Sequence, residues 1–403
     1  MVAQNKRVFL IAFFTVFLDL IGFGVIIPIQ PFYAEMLGAS PTLVTMLGAS
    51  YSLMQFVFAP FWGRLSDKWG RRPIILIGIT TSIIGYTIFG FAEALWVLFL
   101  SRLLTGFGNA NIGAAQAIIA DITDESNRAK GMGLIGAAFG LGFIFGPALG
   151  GALGQVSPTA PAFGAAALGV VNLVLAYFLL PETNKGLGTN SHKVGLSIQG
   201  LKAAGQKFNV MPILMISLFS ILAFALMEQI IGLFIEHAWV SNSALGTAES
   251  LRESAKITSI FLVAVGVTAT IIQGGLIGRL SKKYGERRLV QFAIFIMAVA
   301  MFLTPIMIEA KSWTLLLLNG VMFATGMGLF NPSTTALISN SVEKEEQGGT
   351  LGLNQSMASL GRVLGPACSG PLFELGKALP FYVGGVILVV AMFFSSRLKK
   401  RET

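Results

Sequence analysis

Four ionisable side chains, Asp19, Glu228, Arg102 and Arg362, sit deep inside long apolar stretches of this chain. Taking a charge out of water costs several kcal/mol even after relaxation, so such groups face a polar cavity, pair with each other, and mark ion pathways. At a helical rise of about 1.5 Å per residue, Asp19 falls near the middle of its stretch and Arg102 somewhat outward of it. The same reckoning puts Glu228 and Arg362 at similar depths in the other half of the chain. The expectation is therefore one acid–arginine pair per half, Asp19 with Arg102 and Glu228 with Arg362. A carboxylate whose hydration or cationic neighbour changes with conformation takes up and releases a proton. That chemistry makes these four residues the expected proton-coupling set. Asp19 is the first carrier and Arg102 the group that tunes it; for Glu228 a carrier and a fixed ion pair both stay open.

Polar and aromatic side chains inside the same stretches are the candidates for a substrate cavity: Tyr51, Gln55, Phe58, Asn109, Asn111, Gln116, Gln229 and Asn331. Amides in membrane helices also serve as glue between helices, so each has a structural alternative. His192 and His237 have no partners that suggest a metal site or a catalytic group. No phosphate-binding glycine loop is present. The expectation is a protein that is not an enzyme and takes no metal, cofactor or ATP.

The elements that must position these residues follow from hydropathy. The chain has 403 residues, 54% hydrophobic and only 12% charged, about half the charged share of a soluble domain. Apolar runs of about 20 residues recur along its whole length, enough to cross the hydrocarbon core as helices. Spans are expected at 8–32, 42–65, 73–92, 95–120, 127–152, 160–180, 209–236, 255–280, 288–308, 312–340, 346–372 and 379–397. The first is too long, and lacks the cleavage site, to be a signal peptide. Of 28 Lys and Arg residues, only Arg252, Lys256, Lys311 and Lys377 fall in the connections opposite to the termini. This imbalance places both termini in the cytoplasm of a bacterial inner membrane, and it accounts for the net charge of +9 without nucleic acid. The single Cys368 excludes an intrachain disulfide. A polar segment at 181–208, with a weak surface-helix signal at 196–208, separates six-helix groups at 1–180 and 209–403. The expected fold is all-α, twelve transmembrane helices in two pseudo-symmetric bundles. The expected partners are a small-molecule substrate, protons and the bilayer, with the chain a monomer. The outer connection 237–255 carries no readable role.

The two groups repeat. Residues 63–72 read GRLSDKWGRR and residues 278–287 read GRLSKKYGER, eight of ten positions matching when Trp69 is counted with Tyr284. Gly146-Pro147 in span five is echoed by Gly365-Pro366 in span eleven. Parallel six-helix repeats put the substrate site near the midplane between halves that rock around it.

These residues carry a family resemblance. The 63–72 loop resembles the signature loop between helices two and three of the major facilitator superfamily. Leu18-Asp19 with Gly22 and Pro28, Arg102-Leu-Leu-Thr-Gly106, and the stretch from Gly136 to Gly151 resemble motifs of its drug/proton antiporter branch. The resemblance runs the length of the chain and lies nearest the tetracycline efflux group. It implies that Gly63, Arg64, Asp67, Gly70, Arg71 and Arg72 form a latch, with Asp67 meeting the start of helix eleven and the arginines meeting Asp121. It also implies that Gly142, Gly146, Pro147, Gly150 and Gly151 form the antiporter motif of span five. Close packing on a neighbouring helix, and a bend that stops leak, both fit those small residues. The tetracycline exporters have ionisable residues in helices eight and nine; 257–277 and 289–308 here have none. That departure argues against tetracycline and against a metal-chelated substrate. The resulting expectation is a proton-coupled antiporter exporting drug-like or lipophilic molecules. The alternative is a symporter or uniporter of an endogenous metabolite.

Overall fold

A computed structural model of the chain describes residues 3–122, 125–184, 209–240, 248–342 and 344–398. Fifteen α-helices account for nearly all of them. They are α1 (Ala3–Ile26), α2 (Gln30–Met36), α3 (Pro41–Trp69), α4 (Arg71–Gly90), α5 (Leu95–Asn109), α6 (Ile112–Ile122), α7 (Glu125–Gly154), α8 (Ala160–Leu179), α9 (Val210–Trp239) and α10 (Ala248–Ile271). The remainder are α11 (Ile277–Tyr284), α12 (Glu286–Glu309), α13 (Trp313–Ser341), α14 (Lys344–Leu375) and α15 (Leu379–Ser396). The expected surface helix at 196–208, His192, and residues 241–247 of the outer connection lie outside the described residues.

Setting aside the seven-residue α2, and taking α5 with α6 and α10 with α11 as single broken crossings, gives the twelve spans expected from hydropathy. Among the described residues, nine stretches are individually long and apolar enough to cross a bilayer. The other three fall short for local reasons. The fourth crossing is interrupted at Ala110-Asn111, most of the first half of α7 has side chains outside the description, and α14 carries Asn354, Gln355 and Arg362. Large apolar side chains such as Phe14, Val57, Trp96, Phe178, Phe295 and Phe393 stand exposed along these helices. In water they would form an adhesive surface; around a multi-pass membrane protein they are the lipid-facing one.

Boundaries follow local chemistry. Ser40 caps α3 by accepting the Leu43 N–H at 3.4 Å, and Pro41 occupies the first turn, where no N–H is needed. The chain reverses between α3 and α4 at Gly70 (φ 103°) and between α11 and α12 at Gly285 (φ 76°), equivalent positions of the repeated loop. Backbone of this kind favours residues without a Cβ, so the repeat matches at the level of torsion angles as well as letters. Between α10 and α11 a five-residue π segment, Ile272–Leu276, carries Gly274 and Gly275.

By its internal contacts the chain divides into two compact units, Met1–Lys193 with Val240–Val263, and Val194–Trp239 with Ala264–Thr403. In the first unit α1 runs along α7 and α8, α4 along α5 and α8, and α3 along α5. In the second, α9 runs along α14 and α15, and α12 along α13 and α15. Counting crossings within each half, the first packs on the fifth and sixth, and the third on the fourth and sixth, in both cases. The repeat read from sequence is therefore a repeat of packing.

Candidate functional site

Asp19 stands in the second half of α1, partly exposed, within a stretch from Val8 to Ile26 whose only other polar residue is Thr15. The Asn172 side chain of α8 is close enough to act on its carboxyl group. Asn172 also donates to the Thr15 carbonyl at 3.0 Å, which holds α8 against α1 one turn below the acid. Tyr51 of α3 and Tyr86 of α4 are within electrostatic range of both Asp19 and Arg102. Phe23 stacks on Tyr51 at 5.0 Å between ring centres, closing the same space from α1.

The expected Asp19–Arg102 ion pair is not formed. The Arg102 guanidinium is 2% exposed and lies 5.1 Å from the Phe89 ring centre, 5.8 Å from Tyr51 and 6.0 Å from Tyr86. Its Nε and Nη2 meet no hydrogen-bond acceptor among the described residues. Three ring faces take the place of a carboxylate: their quadrupoles attract the cation, and more strongly when water is excluded. Charge inventory alone pairs the acid with the arginine; the aromatic rings around the arginine are what that inventory leaves out. Such a cage supplies less than a paired carboxylate, and replacing buried ions by apolar residues of similar volume is neutral or stabilising by about 1–4 kcal/mol. Arg102→Met is therefore expected to hold or raise the thermal midpoint of the purified protein while lowering its transport rate about tenfold or more. A falling midpoint with unchanged transport would assign Arg102 to structure alone.

The tyrosines belong to an amide cluster. The Tyr51 hydroxyl accepts from Gln55 Nε2 at 3.0 Å and from Asn109 Nδ2 at 3.1 Å, and Ser82 Oγ donates to Asn109 Oδ1 at 2.8 Å. The Tyr86 hydroxyl is buried and has no partner among the described residues. Four of the expected cavity residues behave differently. Asn111 is buried in the contact with α4, its amide pressed against Gly78, and is interhelical glue rather than cavity lining. Phe58 packs on Phe107 at 4.8 Å in the apolar core of the unit. Gln116 on α6 is partly buried, apart from this cluster in the contacts described, and Asn331 on α13 is exposed.

In the second unit Glu228 of α9 is partly exposed and within electrostatic range of Arg362 of α14. Arg362 Nη2 also donates to Ser359 Oγ at 3.3 Å. Their helices, α9 and α14, pack along their length. Gln229, next to Glu228, is also partly exposed. Glu236, the last residue of an expected span, is 1% exposed, a buried acid that span edges did not single out.

Arg71 organises the 63–72 loop. Its guanidinium donates to Asp67, to Ser66 Oγ at 2.7 Å and to Asp121 Oδ2 at 3.4 Å. This gathers α3, α4 and α6 at one end of the unit and includes Asp121, the acid expected there. Among the described residues Arg64 reaches only the Pro60 carbonyl, at 3.3 Å, and a Cβ at Gly63 would meet nothing within 4 Å. Arg72 donates to the Tyr177 carbonyl at 2.6 Å and lies over that ring. Glu182, which hydropathy leaves in the linker, accepts the N–H groups of both Arg71 and Arg72. Three donors from one planar fork to three acceptors cannot be copied by an ammonium. Arg71→Lys is expected to lower the transport rate about fivefold with protein yield unchanged, read as uptake per reconstituted molecule.

On α7, Gly142, Gly146 and Gly150 bring the backbone directly against α1. A Cβ on Gly146 would lie 2.6 Å from the Gly24 Cα, and one on Gly142 2.7 Å from Leu20 Cβ. Gly151 faces Ser259 of α10 instead, and Pro147 lies within the helix beside Gly24. The side-chain surroundings of 131–137 lie outside the description.

A twelve-crossing helical membrane protein built as two six-crossing repeats has the architecture of many secondary transporters. The chain belongs to the Major Facilitator Superfamily, which residues 12–248 and 237–403 each match. It is 31% identical over 388 residues to the class B tetracycline resistance protein of Escherichia coli, covering 95% of this chain and 92% of that one. Multidrug resistance protein 2 of Bacillus subtilis is 30% identical, over 99% of this chain and 97% of that one. The solved nucleoside transporter NupG superposes with a TM-score of 0.76 at 15% identity, over 99% of this chain and 100% of that one, which speaks for the fold alone.

Proposed function

We propose that the protein is a proton-coupled antiporter that exports small drug-like or lipophilic molecules across a bacterial inner membrane, with both termini cytoplasmic. Two six-helix bundles, 1–180 and 209–403, joined by 181–208, rock about a site near the midplane. The observation that carries this reading is Asp19: a carboxylate, partly exposed inside an apolar stretch, with Asn172 close by and not ion-paired to Arg102, whose guanidinium lies among rings. Such a group changes protonation when the bundle that holds it is hydrated from one side and then the other. Glu228 with Arg362 is the second coupling group. Tyr51, Gln55, Asn109 and Gln229 line the substrate path, and Asp67, Arg71 and Asp121 hold the cytoplasmic latch. The similarity to resistance proteins from two bacteria supports export of foreign compounds. The lack of ionisable residues at 257–277 and 289–308 favours a substrate without a bound metal.

The experiment is uptake into proteoliposomes with an imposed pH gradient, acid inside, using a panel of lipophilic cationic dyes. Uptake that follows the gradient and collapses with a protonophore supports antiport. Uptake that runs with the gradient reversed indicates symport, and uptake indifferent to it indicates a uniporter.

A further inference from the structure

The structure assigns a positioning role to Glu182: with Thr183 and Asn184 it forms a strap that ties the start of the inter-bundle linker to the latch loop. This inference rests on the reading of 63–72 as the latch. The first amides of any helix lack intrahelical partners, and α4 starts at Arg71 directly after a glycine that offers no side-chain cap. Glu182, about 110 positions further along the chain, supplies both acceptors. Its Oε1 takes the Arg71 N–H at 2.9 Å and its Oε2 the Arg72 N–H at 3.0 Å, placing a carboxylate on the positive end of the helix. Gly70 leaves the room for it: a Cβ there would lie 2.7 Å from the Glu182 carboxyl carbon.

The next two residues do the same for two other helices. Thr183 Oγ1 donates to Asp121 Oδ2 at 3.0 Å, the oxygen that Arg71 Nε also approaches. Asn184 Nδ2 donates to the Asp67 carbonyl at 2.9 Å in the last turn of α3, and the Asn184 N–H returns to Glu182 Oε1 at 2.9 Å. Three consecutive residues thus fasten the ends of α4, α6 and α3, while Arg72 fastens α8 through Tyr177. The repeated loop in the second unit is built otherwise. There Glu286 starts α12 and accepts from Ser281 within its own loop, and a Cβ on Gly285 would meet nothing within 4 Å. The strap belongs to the copy of the loop whose last helix runs on into the linker. It makes the latch one rigid body with four helix ends, so the latch opens by losing contacts elsewhere and does not unravel internally.

The test uses purified, reconstituted full-length protein carrying Glu182→Gln, which keeps shape but turns an NH2 donor toward an N–H donor, and Asn184→Ala, which removes only the tie to Asp67. Trypsin needs several residues before the bond it cuts in extended form, so cutting after Lys185 reports how often the strap at 182–184 is released. Losing a charge-assisted hydrogen bond is expected to speed that cut about five- to tenfold in Glu182→Gln, and less in Asn184→Ala. Maximal transport per folded molecule is expected to fall about fivefold in Glu182→Gln with KM unchanged. Wild-type cleavage in both variants overturns the strap. Faster cleavage with wild-type maximal rate, or a changed KM alone, overturns the positioning role. If proton-driven export itself fails, the cleavage rates still decide the strap, so the two failures are told apart.

Discussion

Replacing Asp19 by Asn is expected to abolish accumulation driven by a pH gradient while leaving exchange of substrate at equal concentrations across the membrane. With one proton exchanged per substrate, a gradient of one pH unit sustains about tenfold accumulation, since one unit is worth about 1.4 kcal/mol. Asp19→Asn is expected to hold no accumulation at any gradient. The substitution is close to isosteric, and the Asn172 amide, already tied to the Thr15 carbonyl, gives the new side chain a partner, so the helix contact survives. Arg102 stays in its cage of three rings in either case, because that cage does not include the carboxylate. Counterflow separates the two functions: it needs rocking of the bundles but no net proton movement. Retained accumulation in Asp19→Asn would remove Asp19 as carrier and shift the role to Glu228, testable in the same vesicles with Glu228→Gln.

Much of the architecture was legible because its causes are local in sequence. About 20 apolar residues must cross as a helix whatever their neighbours are, so the crossings emerged from hydropathy. Gly70 and Gly285 were legible as a repeat because a reversal with positive φ admits few residues. The interruption at Ala110-Asn111 and the π segment at 272–276 were not, since both preserve the hydrophobic pattern on either side. The candidate site was legible by residue type and less by pairing. Glu228 and Arg362 lie within electrostatic range of each other, whereas Arg102 sits among rings, and Tyr86, an aromatic residue in an aromatic-rich chain, gave no signal. Glu182 was hidden for a different reason. Its partners are backbone N–H groups about 110 residues away, which sequence never distinguishes from any others.

The glycines of α7 set the second large effect. A Cβ at Gly150 would run into the Val25 carbonyl oxygen and lie 3.0 and 3.1 Å from the Val25 C and Cα atoms, all backbone of α1. Backbone inside a long helix cannot swing aside as a side-chain tip does, and overpacking of this kind costs about 1–3 kcal/mol or more. Gly150→Leu is expected to yield no folded protein, and Gly150→Ala to lower the thermal midpoint by several degrees. Gly113→Ala is the control, because nothing lies within 4 Å of that position. The same variants decide between packing and leak prevention as the reason for these small residues. Pro147 has no N–H to give to the turn before it, so that turn relies on the close approach of α1 for its rigidity. If the bend is a barrier, Gly150→Ala molecules that fold will pass protons without substrate, seen as faster collapse of a pH gradient in vesicles. If the glycines serve packing alone, those molecules will be fewer but as tight as the parent, since closeness of α1 and α7 is then a condition for folding and not for sealing.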